Sequence, residues 1–159
     1  MTIYTIGVYG TTEHDFFEKL VKNRIDTFCD IRQRRGVRGS EYAFVNSKRL
    51  QRSIAELNIT YWHVLDLAPT TEIRKMQYED DMKQGEKKRS RNQLGDVFSL
   101  AYKSMIMQKL NFNIFVDKLA ETGSNRMVLF CVEKKPEACH RSIVADELRK
   151  RYGFEIIHI

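Results

Sequence analysis

The sequence lacks the signals that would place the chain in a membrane or outside the cell. Its longest purely apolar runs, such as residues 127–132, are far too short to span a bilayer. Charged residues begin at Glu13, too early for a secretory signal peptide. The three cysteines are an odd number without a C-x-x-C pair, which indicates free thiols rather than disulfides. We therefore expect a cytoplasmic protein with no membrane partner.

Signals for a cofactor or a metal are also scarce. Gly7 and Gly10 do not form the G-x-G-x-x-G fingerprint of a dinucleotide site. Structural zinc sites usually contain a close cysteine pair, which is absent, and the adjacent Cys139 and His140 would seldom face one ion. A phosphatase-like or rhodanese-like loop fails on spacing, because nine residues separate Cys131 from Arg141. We expect no metal and no cofactor.

Positive charge, by contrast, is plentiful and concentrated in one window. The chain has 159 residues and a net charge of +6, with the hydrophobic and charged fractions of a globular domain. Seven basic residues and one acid, Glu41, lie between Arg32 and Arg52, so this window alone accounts for the net charge. Its densest part is CDIRQRRGVRGS, residues 29–40, which contains Arg32, Arg34, Arg35 and Arg38. The asymmetry indicates an anionic partner, with a nucleotide or a nucleic acid as the candidates.

Segments typical of strands and helices alternate along the chain. Strand-like runs lie at residues 3–7, 25–31, 59–65, 126–133 and 154–159. Helical patterns cover about residues 12–22, 47–57, 69–84, 93–121 with a break near Asn111 or Asn113, and 142–152. Alternation of this kind predicts βαβ units with right-handed crossovers. We predict a single three-layer α/β domain over residues 1–159, with a mostly parallel sheet of about five strands and helices on both faces.

This architecture predicts where a ligand binds. In open parallel sheets, ligands bind beyond the carboxyl ends of the strands, at the switch point in strand order. The segments expected there are residues 7–10, 30–32 with the basic loop, 65–67 and 133–141. Most residues with useful chemistry lie in these segments.

The segment CVEKKPEACHRS, residues 131–142, is the strongest local feature. It places Glu133 at a strand end and Cys139, His140 and Arg141 at the start of a helix, where backbone N–H groups favour an anion and a lowered thiol pKa. One interpretation is an anion site with Arg141 as ligand, Cys139 as nucleophile, and Glu133 or His140 transferring a proton. The alternative is structural: Cys139 and His140 pack the helix start while Arg141 pairs with a glutamate.

Two parts of CDIRQRRGVRGS have different expected roles. Asp30 and Arg32 lie on one face of a strand, because side chains alternate. They are either a general base and an anion ligand, or an ion pair that orients the loop. The arginines beyond the strand are expected to guide or clamp a larger anion; these are Arg34, Arg35 and Arg38.

Several motifs together resemble one family. They are TIG at residues 5–7, DIR at 30–32, the segment at 58–61, LFCVEKKPEACHR at 129–141 and the terminal HI. The chain is similar along its whole length to the domain of unknown function 488 family, and the resemblance implies a compact α/β fold. It departs from the family at Val8-Tyr9, where members usually have His-Ser, and at residues 65–69, where members have a Gly-Gly segment.

These observations support three hypotheses about function. The first is an enzyme or anion-site protein acting on a phosphate-bearing substrate, with Arg32 and Arg141 holding the anion. The second is a non-catalytic nucleic-acid-binding or regulatory module that uses the basic face between Arg32 and Arg52. The third is a scaffold whose charge serves only solubility.

Overall fold

A computed structural model of the protein describes residues 1–87 and 90–159. It contains one five-stranded sheet in the order β3-β2-β4-β1-β5, and every pairing is parallel. The strands are β1 Thr2–Ile6, β2 Thr27–Asp30, β3 Thr60–His63, β4 Arg126–Phe130 and β5 Glu155–His158. The predicted sheet is thereby confirmed. The charged segment at residues 85–92 is typical of a loop in the sequence, and two of its residues, Lys88 and Arg89, lie outside the described residues.

Six α-helices connect or flank the strands in the described part of the chain. They are α1 Glu13–Lys22, α2 Ser47–Glu56, α3 Thr71–Gln84, α4 Asp96–Tyr102, α5 Phe112–Glu121 and α6 His140–Tyr152. The Thr12 side chain accepts a hydrogen bond from the backbone N–H of Asp15 and so caps α1. Asn111 caps α5 in the same way, at the predicted break. Helix α6 begins two residues before the predicted start.

Helices cover both faces of the sheet. On one face Phe16 of α1 packs against Phe28 and Phe130, with ring centroids 6.3 and 5.5 Å away. On the other face Trp62 of β3 stacks on Phe115 of α5 at 5.0 Å. Side chains alternate along strands, so these contacts confirm three layers. No helix in residues 1–87 or 90–159 combines the length and apolar character needed to cross a membrane.

The strand order creates one switch point. Strand β4 lies between β1 and β2, and Asp30 at the end of β2 is paired in register with Phe130 at the end of β4. The chain leaves β2 toward β3 on one side and leaves β4 toward β5 on the other. A crevice therefore opens between the carboxyl ends of β2 and β4, where α/β proteins bind ligands.

At the other end of the same strand pair, Asp26 links the start of β2 to the start of β4. Its carboxylate accepts hydrogen bonds from the Ser124 hydroxyl and the backbone N–H groups of Asn125 and Arg126, each at 2.8 Å. Burial alone would raise the pKa of Asp26, but these hydrogen bonds outweigh it and hold the pKa below its usual value. The start of β2 is thus joined to the start of β4.

Candidate functional site

A cleft of about 670 Å³ opens beyond the carboxyl ends of β2 and β4. Its walls come from the loop after β2, from α3, from the region before α4 and from the loop between β4 and α6. Residues with reactive or charged groups in its lining include Arg32, Arg34, Arg74, Glu133, Cys139 and His140. The structure therefore brings candidates from two distant sequence segments together at one place.

Asp30 and Arg32 form a buried ion pair at the end of β2, with 0% and 3% of their surfaces exposed. Arg32 donates from Nε to Asp30 Oδ1 at 2.8 Å and from Nη2 to Asp30 Oδ2 at 2.7 Å. The Tyr61 hydroxyl donates to the same carboxylate at 2.7 Å. Burial and the charge of Asp30 raise the pKa of Tyr61, so this hydroxyl keeps its proton. The predicted structural pair is present, and the general-base role of Asp30 stays a prediction.

Arg32 has one donor group left over. Its Nη2 also donates to the carbonyl of Val45 at 3.0 Å, and its guanidinium lies 4.5 Å from the centroid of the Phe130 ring. Its Nη1 is buried and has no hydrogen-bond partner among the described residues. A buried donor without a partner costs about 1–3 kcal/mol. Arg32 lines the cleft, and its role as an anion ligand stays a prediction.

Two thiols and an imidazole cluster on the other side of the crevice. Cys131, Cys139 and His140 are buried, and their ligand atoms all lie within 4.8 Å of one another. Cys139 Sγ is 3.8 Å from His140 Nδ1, and His140 Nε2 is 3.1 Å from the carbonyl of Ile31. Adjacent side chains converge here because Cys139 has extended backbone angles and the helix begins at the next residue. The sequence argument that Cys139 and His140 would diverge did not anticipate this geometry.

The two thiols of this cluster differ in acidity. A hydrogen bond with Cys139 and burial raise the pKa of Cys131 to about 12. Burial also raises the pKa of Cys139, but the hydrogen bond from Cys131, the charge of Arg141 and the backbone N–H of Arg141 outweigh it, so that the pKa is about 7. The predicted acidic thiol at the start of the helix is thus supported, and the nucleophilic role of Cys139 stays a prediction.

Arg141 holds the loop between β4 and α6. Its side chain is 2% exposed and donates to the carbonyl of Glu133 at 2.6 Å and to that of Lys134 at 3.0 Å. A Cβ atom on Gly7 would lie 1.9 Å from the carbonyl oxygen of Glu133, so only glycine fits beside this turn. The carboxylate of Glu133 instead lies 3.8 Å from Arg91. Arg141 therefore has a structural contact, and its role as an anion ligand stays a prediction.

The three loop arginines have different positions. Arg34 and Arg38 are exposed and line the cleft, whereas Arg35 is half-buried, lies outside the cleft lining and hydrogen-bonds with Tyr61. Arg74 of α3 also lines the cleft and donates to Gln33 at 2.9 Å. Burial and the charge of Arg34 lower the pKa of Arg74, so the two guanidinium groups repel each other. Sequence reasoning missed Arg74, because a single arginine on a polar helix carries no signal.

Both segments that depart from the family pattern reach this cleft. Val8 is buried in the core and Tyr9 lines the cleft. The second segment forms a 3₁₀ turn at Leu65–Leu67, followed by Pro69 in the cleft lining. The positions that differ from the family thus help to shape the cleft.

Comparisons with known proteins agree with the resemblance and add no activity. Residues 13–148 match the family described as "Domain of unknown function DUF488". Neither the comparison with curated proteins nor that with solved structures gives a match. Because the match covers most of the 159 residues, the chain belongs to the domain of unknown function 488 family.

Proposed function

We propose that the protein is an enzyme that binds a small phosphate-bearing substrate, such as a nucleotide, in the cleft between β2 and β4. The observation that carries this proposal is the charge of the lining. Among the described residues, six lining side chains are basic and one is acidic, Glu133. The basic ones are Arg32, Arg34, Arg38, Arg74, Lys75 and Arg91.

Not all of these charges are equally available to a ligand. Arg32 is paired with Asp30, and Arg91 is paired with Asp81. Within the described part of the chain, Arg34 and Arg74 form no ion pair, and the charge of Arg34 lowers the pKa of Arg74. Two neighbouring guanidinium groups repel each other, and a phosphate between them removes this repulsion through charge-assisted hydrogen bonds. We assign the phosphate to this pair.

A phosphate at Arg34 and Arg74 would bring the rest of the substrate near groups that can react. Cys139, His140 and Glu133 line the same cleft. Cys139 would act as a nucleophile, or Glu133 or His140 would transfer a proton. Asp30 is the weaker candidate for proton transfer, since its carboxylate already accepts from Arg32 and Tyr61.

Calorimetric titration with inorganic phosphate, pyrophosphate and ATP tests the phosphate site. We expect Arg34→Met and Arg74→Met each to weaken binding of the best of these ligands by about 10- to 100-fold, since hydrogen bonds to charged groups contribute about 1.5–3 kcal/mol. Methionine keeps the aliphatic part of the side chain. Arg52→Met is the matched control, because Arg52 is an exposed residue of α2 outside the cleft lining.

Two results would contradict the proposal. One is that none of the three ligands binds to the wild-type protein. The other is that Arg52→Met weakens binding as much as Arg34→Met, which would favour the basic face between Arg32 and Arg52. That face has less structural support, since Arg32 is buried and Arg49 pairs with Glu13 at 2.7 Å.

A further inference from the structure

The cluster of Cys131, Cys139 and His140 has the geometry of a metal site. Its three ligand atoms lie within 4.8 Å of one another. Tetrahedral zinc places its ligand atoms at about 2.0–2.3 Å from the ion. Two ligand atoms at these distances from one ion are about 3.5–3.8 Å apart, so side-chain movements of about 1 Å would suffice. The segment after β4 and the start of α6 together supply a compact S₂N donor set.

The hydrogen bond of His140 selects the tautomer that a metal needs. The carbonyl of Ile31 can only accept, so His140 Nε2 at 3.1 Å must carry the proton. The lone pair of a neutral imidazole is then on Nδ1, which is the atom 3.8 Å from Cys139 Sγ. A backbone carbonyl that fixes the other nitrogen is the usual second contact of a metal-binding histidine.

We propose that Cys131, Cys139 and His140 bind a single Zn²⁺ ion, with a fourth coordination position that faces the cleft. Two thiolates and an imidazole favour zinc over magnesium or calcium, which take oxygen ligands. Binding releases the thiol protons of Cys131 and Cys139 to the solvent.

The open position follows from the surroundings of the cluster. All three residues line the cleft, and no other cysteine, histidine or carboxylate of the described chain joins the group. Zinc with three protein ligands and an open position is the arrangement of catalytic zinc sites, where water or a substrate oxygen completes the tetrahedron. The inference does not rest on the proposed function, because the donor set is complete whether or not a phosphate binds nearby. With zinc bound, Cys139 and His140 are ligands, and Glu133 is the residue left to transfer a proton in the proposed function.

Titration of the reduced, chelator-treated full-length protein with Co²⁺ tests the site. We expect a near-ultraviolet thiolate-to-cobalt absorption band and the visible bands of tetrahedral Co²⁺, both saturating at an equimolar amount and both removed by equimolar Zn²⁺. The titration of the wild-type protein is sufficient as a test, since absence of the thiolate band would overturn the proposal without any variant.

Variants then assign the ligands. Cys131→Ser and Cys139→Ser should each weaken Co²⁺ binding at least tenfold and reduce the thiolate band. Cys29→Ser is the control, because Cys29 is a buried free thiol outside the cluster and its loss should leave the spectrum unchanged. Each variant is compared only if its circular dichroism matches the wild type, with Cys139→Ala as the replacement for a misfolded serine variant. An equal loss in Cys29→Ser would assign the metal elsewhere and contradict the proposal.

Discussion

The two ends of strand β2 carry an aspartate each, and the two carboxylates have opposite consequences. Asp26, before the strand, accepts from the segment that begins β4, including the backbone N–H groups of Asn125 and Arg126. Asp30, at the end of the strand, accepts from Arg32 and Tyr61. The first joins two pieces of backbone, whereas the second fixes a guanidinium group at the edge of a cleft.

The difference shows that the two ends of one strand pair have different roles: one end stabilises the fold, and the other presents polar groups to the cleft. Asp26 is saturated by donors that belong to the fold. At the other end, Arg32 Nη1 has no partner among the described residues, and the thiols of Cys131 and Cys139 lie across the crevice. Polar side chains without partners occur at the carboxyl ends of parallel strands because loops, rather than neighbouring strands, surround the side chains there. The following predictions test this contrast.

The largest effect is expected from Asp30→Ala. The substitution leaves Arg32 buried without its counter-ion, and loss of one partner of a buried pair costs about 3–5 kcal/mol of unfolding free energy. Urea denaturation measures the change. The double variant with Arg32→Met should recover part of the loss, because both charges are then absent. A single-variant loss below about 1 kcal/mol would mean that the pair is not buried as described.

Gly7→Ala should lower the free energy of unfolding by about 1–3 kcal/mol, as overpacking does in other protein interiors. The new Cβ would lie 1.9 Å from the backbone oxygen of Glu133, so the turn held by Arg141 must move. Gly36→Ala is the control, since the nearest atom to its Cβ is 4.0 Å away and its φ is not positive. Thermal unfolding compares the two, and equal stabilities would contradict the close approach of the β4–α6 loop.

Asp26→Asn should lower the free energy of unfolding by about 1–2 kcal/mol at neutral pH, because a charged acceptor of three hydrogen bonds is replaced by a neutral amide. The folded-state pKa of Asp26 is lowered, so its stabilisation is present above the unfolded-state pKa of about 3.9 and is lost as the pH falls through the folded value. Urea denaturation at pH 7 and pH 3 should therefore show a smaller difference between variant and wild type at pH 3. A constant difference would show that the charge of Asp26 does not matter.

The smallest effect on stability is expected from Arg34→Met. Arg34 is exposed, so the free energy of unfolding should change by less than about 0.5 kcal/mol. It lies two residues after Arg32, and the two therefore provide a close comparison between a buried and an exposed arginine. Urea denaturation under the same conditions as for Asp30→Ala gives the value. A loss above about 2 kcal/mol would mean that Arg34 is part of the fold rather than of a binding surface.

Much of the fold could be predicted because its signals are local. The cap at Thr12, the break at Asn111 and the apolar run that forms β4 are all visible in a few consecutive residues. The rule for ligand positions in parallel sheets then led to the segments that line the cleft. The strand order could not be predicted, since nothing in the sequence states that β4 enters between β1 and β2.

The side-chain contacts of the site could not be predicted from the sequence. The approach of Cys131 to Cys139 depends on the path of the loop between them, and the presence of Arg74 in the same cleft as Arg34 depends on how α3 packs. The same limit applies to Arg141, whose guanidinium contacts the backbone of Glu133 rather than a carboxylate. Side-chain type can be read from a sequence, but the partner of a buried charge is decided by the tertiary structure.

The salt dependence of binding tests most directly whether the cleft, rather than an extended basic face, binds the anion. Affinities for ATP and for a DNA duplex would be measured with the wild-type protein at 50 and 200 mM salt. ATP lacks the condensed counterions of a duplex, so its affinity should fall far less over this range than a DNA complex with many phosphate contacts, and DNA should bind no more tightly than ATP. Tighter binding of DNA with a loss of about 10³-fold would require about six phosphate contacts and would contradict the account.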